Sequence, residues 1–253
     1  MIPADDRGFL LGDGLFETLL AIDGELQALA AHLDRLDRGC AVLGLPAPDR
    51  AKAVELMRQA LVEQGPGRAA VRLTLSAGSG GRGLDRPASV TPRLVAGAAA
   101  SARPVGPARL VTSSVRRNAE SPASRLKTLA YLDNVLARRE ALGGGADEAL
   151  MLNTRGEVAC GAAANIFWLR EGRLFTPALT CGVLDGIVRA AVIEAAARIG
   201  VEVLEVAAGP GELAGAEAVF LTNSLMGVRA VEDLDGEAYT ASDLVQRLAE
   251  LIG

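Results

Sequence analysis

Histidine is the scarcest functional group of this chain: His32 is the only one in 253 residues. A single histidine excludes a His-rich metal site and argues against a histidine-centred triad, so acid–base chemistry has to come from elsewhere. Lysine is almost as rare. Only Lys52 and Lys127 are lysines, against 24 arginines. Where any cation would serve, this sequence writes Arg. A lysine in an apolar stretch is therefore a candidate for chemistry that a guanidinium cannot perform, such as Schiff-base formation. The cysteines Cys40, Cys160 and Cys181 are odd in number, irregularly spaced and without a CxxC, which indicates neither a disulfide framework nor a zinc site. No metal is expected. No apolar run is long enough to span a bilayer, and the acidic start lacks the basic-then-apolar plan of a signal peptide. The chain reads as cytoplasmic, with no membrane partner.

What is present is a half-hydrophobic chain with a net charge of -5. Its length suits one large or two modest domains with real cores. The acidic balance argues against nucleic acid as a partner, because phosphate backbones are bound by clustered positive charge.

The first half alternates strand and helix signals. Glu17–Ile22, Asp23-Gly24 and Glu25–Leu29 read as a hairpin, with Asp-Gly supplying the positive φ angles of a tight turn. Leu29, Leu33, Leu36, Cys40 and Leu43 recur at helical spacing and stop near Gly44 and Pro46. Asp49 is placed to cap a second helix burying Ala53, Leu56, Met57, Ala60 and Leu61, with Lys52 as ordinary surface charge. Strands are predicted at Ala69–Ser76 and Arg93–Ala98. The Pro- and Gly-rich run from Ser101 to Pro107 reads as a connector. Beyond it come strands at Ala108–Val115 and Glu148–Asn153 around a helix at Thr128–Leu142. A hairpin follows at Ile166–Thr176, then a helix at Gly186–Ile199, strands at Val201–Val206 and Ala218–Thr222, and a last helix at Ser242–Leu251. The expectation is α+β in two domains: a small N-terminal one over 1–102, a linker over 103–107 and a larger C-terminal one over 108–253.

Four stretches could carry chemistry. Gly78–Gly83 matches GxGxxG, but Asp85-Arg86-Pro87 and a strand follow where a dinucleotide site needs a helix. The remaining reading is a mobile loop presenting Arg82, either to a carboxylate or simply to solvent. Lys127 lies among leucines at helix-start spacing, a partly apolar setting that favours a nucleophilic amine, although snorkelling surface lysines are commoner. Asn223-Ser224 follows a strand and could offer donors to a phosphate. Ile187 and Val188, just after Gly186, open a helix whose free N–H groups form another anion site. With Arg35 these features sketch a phosphate cradle.

Six blocks carry a family resemblance: Leu11–Thr18, His32–Leu36, Lys127–Asn134, Ala164–Trp168, Gly182–Arg189 and Leu221–Leu225. Together they resemble the class IV, or fold type IV, pyridoxal-phosphate enzymes, among them branched-chain and D-amino-acid aminotransferases and 4-amino-4-deoxychorismate lyase. The resemblance implies a two-domain fold like that of D-amino-acid aminotransferase, with the larger domain holding pyridoxal 5'-phosphate, and a homodimer acting on a small amine or carboxylate substrate. By position it makes Lys127 the lysine that holds the cofactor and moves a proton. Arg35 binds the cofactor phosphate with backbone at Ile187 and Val188 and with Asn223 and Ser224, and Tyr131 lies near the phenolic oxygen. Thr18 is placed at the active-site face.

Within the family, Ser76–Gly83, Asp147–Leu150 and Ala162–Trp168 look most like the lyase, which implies cleavage of 4-amino-4-deoxychorismate to 4-aminobenzoate and pyruvate. Arg82 is then the substrate-carboxylate cation. A class IV aminotransferase and a non-catalytic cofactor-binding relative are the alternatives. Two positions depart from the pattern. Ala77 stands where the lyases commonly carry Arg. Cys160 stands where the family has the glutamate that keeps the cofactor's ring nitrogen protonated, and Glu157 comes three residues too early to replace it. A neutral thiol is a weak donor at that place, so elimination driven by aromatisation is expected to be favoured over transamination. On the same resemblance His32 is a structural neighbour of Arg35 and not a proton carrier.

Overall fold

The computed structural model describes residues 2–252 and divides into two compact units. The first holds residues 2–103 together with Leu126–Ala130. The second holds 104–125 and 131–252. The five residues around Lys127 thus belong with the N-terminal unit, not with the 108–253 run in which the sequence reading placed them.

The first unit is a four-stranded antiparallel sheet with two helices on one face. A short helix α1 (Arg7–Leu11) precedes β1 (Gly14–Ile22), which turns through Asp23 (φ 48°) and Gly24 (φ 85°) into the two-residue β2 (Glu25–Leu26). Positive φ at both turn residues is what Asp-Gly was expected to provide. Helices α2 (Leu29–Leu43) and α3 (Arg50–Gln64) follow, the first closed by Gly44 in the left-handed region. The second is capped by Asp49 Oδ1, which accepts from the Ala51 and Lys52 amides. Strands β3 (Arg68–Ser76) and β4 (Arg93–Ala100) complete the order β2-β1-β3-β4. Leu15, Leu19, Val71, Leu73 and Leu75 of the sheet pack on Leu33, Leu36, Cys40, Met57 and Leu61 of the helices.

In the second unit the strands are β5 (Ala108–Thr112), β6 (Glu148–Leu152), β7 (Val158–Gly161), β8 (Asn165–Arg170), β9 (Arg173–Pro177), β10 (Val203–Val206), β11 (Ala218–Asn223), β12 (Gly227–Leu234) and β13 (Glu237–Ala238). They form one mixed sheet in the order β10-β9-β8-β11-β12-β5-β6-β7, with β13 on β12. The helices are α4 (Pro122–Arg125), α5 (Leu132–Gly143), α6 (Ile187–Arg198) and α7 (Asp243–Ile252). Side chains of α6 and α7 cover Phe167, Leu169, Ala218 and Phe220, while Ile166, Trp168, Val219 and Leu221 on alternate positions join a second core with Leu110, Leu150 and Val231. The fold is α+β, as expected.

One predicted element is replaced. Thr128–Leu142 was expected to be a single helix, yet the helix starts only at Leu132. The Lys127 carbonyl accepts from the Phe16 amide at 2.8 Å and the Leu129 amide donates to the Gly14 carbonyl at 3.0 Å, so Lys127–Leu129 lies along β1 as an added strand segment.

Candidate active site

Cross-strand partners share a face of a sheet, and Phe16 pairs with Thr74, Thr18 with Arg72. These four therefore lie on the face of the first unit opposite the helices. Lys127 joins them through its pairing with β1. Its Nζ stands 4.3 Å from the Phe16 ring centroid, and Arg72 Cζ stands 3.7 Å from the same centroid. One aromatic ring therefore attracts both cations through its π face. Thr18 is half-buried two residues along the strand.

On the other face, Glu17 projects toward α2 and is 1% exposed. Arg35 grips it with two parallel bonds, Nε to Oε1 at 2.8 Å and Nη2 to Oε2 at 2.6 Å, and His32 Nδ1 lies 2.7 Å from Oε2. An ionised carboxylate only accepts, so Nδ1 is the protonated nitrogen. Burial by itself would raise the Glu17 carboxyl, but the bonds from Arg35 and His32 outweigh it and hold the group below the ordinary glutamate range. Glu17 escaped the sequence reading. The available signal was an acid at an inward position between Leu15 and Leu19, with two basic residues three apart on the next helix.

Arg82 sits in the Gly-rich segment with its side chain exposed, and its backbone pairs with that of Asp85. The sequence predicts a mobile loop here. It is instead tied down by Arg7, a buried side chain whose guanidinium donates to the carbonyls of Gly80, Gly83, Leu84 and Asp85 and to Asp13. Asp13 is also held by Arg86 at 2.5 Å and 3.0 Å, and those bonds, with Arg7 assisting, keep its carboxyl below the ordinary range. At Gly81 (φ 83°) a Cβ would come 2.1 Å from the Asp85 carbonyl oxygen, so only glycine allows this closure.

The second unit carries the other expected residues. Tyr131 is half-buried at the start of α5. Helix α6 begins at Ile187 and Val188 with no side-chain cap at Gly186. A Cβ at Gly186 would fall 2.0 Å from Asn165 Oδ1, so the backbone approaches there as close as a glycine permits. Nearby in register, Thr222 of β11 pairs with Asn165, and its buried Oγ1 has no partner among the described residues. Uncapped amides, a glycine-only approach and an orphaned hydroxyl suit a phosphate. The Asn223 side chain is engaged in its own turn. Its Oδ1 accepts from the Leu225 and Met226 amides and its Nδ2 donates to the Ala163 carbonyl, so the side chain shapes the turn that presents half-buried Ser224.

Cys160 is buried on β7 opposite Met151 of β6. Burial pushes its thiol up and Arg117 opposes the shift. Glu157 does not take its place: it accepts from Asn153 Nδ2 at 2.6 Å and from Arg155, within the turn before β7. Arg117, which the sequence reading did not single out, is itself buried. Its acceptors are the Gly182 and Ser124 carbonyls and Asn134 Oδ1, none of them an anion. Among the described residues no cluster of His, Cys, Asp or Glu could hold a metal ion, and no helix is long and apolar enough to cross a membrane.

The family profile described as amino-transferase class IV matches residues 14–234. Aminodeoxychorismate lyase of Bacillus subtilis is 32% identical over 96% of this chain and 87% of its own length. Branched-chain-amino-acid aminotransferase of Pseudomonas aeruginosa is 31% identical over 89% of this chain and 77% of its own length. A crystal structure from Legionella pneumophila, provisionally described as 4-amino-4-deoxychorismate lyase, superposes with a TM-score of 0.92 at 30% identity, covering 99% of this chain and 94% of that one. A Mycobacterium tuberculosis structure, described as a hypothetical aminotransferase in its PLP-bound form, has a TM-score of 0.86 at 26% identity, covering 100% and 92%.

Proposed function

Because the chain belongs to the amino-transferase class IV family, we propose that it is a pyridoxal-phosphate-dependent lyase converting 4-amino-4-deoxychorismate to 4-aminobenzoate and pyruvate. Lys127 holds the cofactor. Arg35, the Ile187 and Val188 amides and Ser224 receive its phosphate, with Asn223 shaping the Ser224 turn and Tyr131 near the phenolic oxygen. When bound, the cofactor draws electrons from the substrate's nitrogen-bearing carbon and so acidifies its proton. Lys127 would take that proton as a general base. Loss of the enolpyruvyl group aromatises the ring, and no water, oxidant or second substrate is consumed. Arg82 and Arg72 are the cations for the substrate carboxylates, Arg72 from beside Phe16 and Thr18.

The observation that carries the lyase reading over transamination is Cys160. A buried, protonated thiol beside Arg117 supplies no anion to stabilise a protonated ring nitrogen, which costs a reaction without aromatisation more than one with it. The relatives' names favour aminotransferase as the second reading; a non-catalytic relative, suggested by Cys160 alone, is the third. Pyruvate release from the purified protein, read with a coupled lactate dehydrogenase, against keto-acid formation from branched-chain and D-amino acids separates all three. Pyruvate release dominates if the lyase reading holds, and Lys127→Ala abolishes it. Dominant keto-acid formation selects the aminotransferase, and silence in both selects the non-catalytic relative. The chain also acts as a homodimer in this reading. The exposed face of α5, with Leu132, Val135, Leu136 and Leu142, is apolar enough to need cover.

A further inference from the structure

We propose that Glu17 is a positioning residue that makes Arg35 selective for a phosphate ester, with His32 locking the carboxylate from behind. The three side chains differ in exposure: His32 and Glu17 are buried, while the Arg35 side chain is 10% exposed. A carboxylate at an inward position of β1 forgoes the packing that Leu15 and Leu19 obtain on either side, and taking it out of water is costly unless every lone pair is used. Here both oxygens are used, one by Arg35 Nε and the other jointly by Arg35 Nη2 and His32 Nδ1. The two parallel bonds occupy one edge of the planar guanidinium and so fix its plane. An ammonium, with no plane to fix, could not be aimed this way. His32 then stops the carboxylate from swinging with its arginine.

The proposal rests on the reading that Arg35 receives the cofactor phosphate, and its test keeps the two apart. The full-length chain, stripped of cofactor, is titrated with pyridoxal 5'-phosphate and with pyridoxal, which lacks the phosphate, and the ratio of the pyridoxal dissociation constant to that of pyridoxal 5'-phosphate is compared among variants. Glu17→Gln keeps the volume and removes the charge. It is expected to lower the ratio by about tenfold or more, the worth of a well-aimed charge-assisted bond, while pyridoxal affinity stays within about threefold of the parent. A parent-like ratio in Glu17→Gln overturns the proposal if Arg35→Leu collapses the ratio. An unchanged ratio in Arg35→Leu overturns the phosphate reading instead. Equal loss of both affinities in Glu17→Gln, with a fall in thermal midpoint, also overturns the proposal, because it marks a purely structural role. Should Glu17→Gln fail to fold, the pair His32→Asn and His32→Leu carries the test. Asparagine can still donate to Glu17 and is expected to keep the ratio, leucine to lower it, and equal ratios in the two overturn the proposal.

Discussion

Two guanidinium groups, one in each unit, are satisfied in opposite ways. Arg35 has an ion pair: both Glu17 oxygens lie within 2.8 Å of its nitrogens. Arg117 has only neutral acceptors, two carbonyls and an amide oxygen. An arginine can thus be kept in an interior by hydrogen-bond count without a counter-charge, provided its five donors find acceptors. The difference lies in what each holds. Arg117 ties Ser124 and Asn134, near it in the chain, to Gly182, 65 residues on, and so acts as a strut within its own unit. Arg35 is gripped along one edge by Glu17 of β1.

This contrast can be broken most severely at the strut. Arg117→Leu leaves the buried Gly182 carbonyl, the Ser124 carbonyl and Asn134 without their donor, and thermal or urea denaturation should show a loss of about 3–5 kcal/mol. Glu17→Gln should cost less, about 2 kcal/mol at neutral pH, because the amide still accepts from Arg35. Its pH dependence gives the sign. The Glu17 carboxyl is held below its ordinary value in the fold. Its contribution is therefore complete above the ordinary glutamate range and disappears as the pH falls through the depressed folded value. The stability gap between parent and Glu17→Gln should accordingly close in acid.

Cys160→Glu sharpens the comparison by giving Arg117 the anion it lacks. Keto-acid formation relative to pyruvate release should rise about tenfold, since a carboxylate there stabilises a protonated ring nitrogen. An unchanged ratio in the coupled assays would separate Cys160 from reaction choice. The smallest effect is expected at Glu148, buried on β6, where burial raises the carboxyl although the Ala149 and Ala162 amides donate to Oε1 at 2.9 Å and 3.2 Å. A raised carboxyl means that its contribution is fully present in acid and is lost as the pH rises through the folded value. Glu148→Gln, which keeps the acceptor, should therefore stabilise the protein at neutral pH by about 1 kcal/mol or less and make no difference in acid.

What could be read from the sequence was local. The Asp23-Gly24 turn, the α2 stripe ending at Gly44 and the Asp49 cap each depend on residues a few places apart, and each is found where it was expected. The misread parts depend on distant partners. Leu126, Leu129 and Leu132 keep helical spacing, yet the amides of Phe16 and Leu129 pull the first part of that stretch onto β1, more than a hundred residues back in the chain. Strand β7 has only four residues and β12 opens on a glycine and carries two acids, so neither shows a strand pattern by itself. At the site, Lys127 stood out through its rarity and Arg35 through the resemblance. Glu17 and Arg117 did not, because what marks them is burial beside particular partners, which no spacing rule encodes. Asn223 was legible as polar and strand-ending, but not as a side chain consumed by its own turn.

The excursion of Leu126–Ala130 has a consequence for how the protein is made and taken apart. Residues 2–103 are continuous and carry most of the first unit, but the segment that lies along β1 is translated only after the chain has already begun the second unit. The first unit therefore cannot cover that strand, or acquire Lys127, until residue 130 has left the ribosome. A cut in the connector at 103–107 would not free a complete domain on either side, and a gene split at that point would yield one half lacking Lys127 and another bearing it on a segment with no strand to lie against.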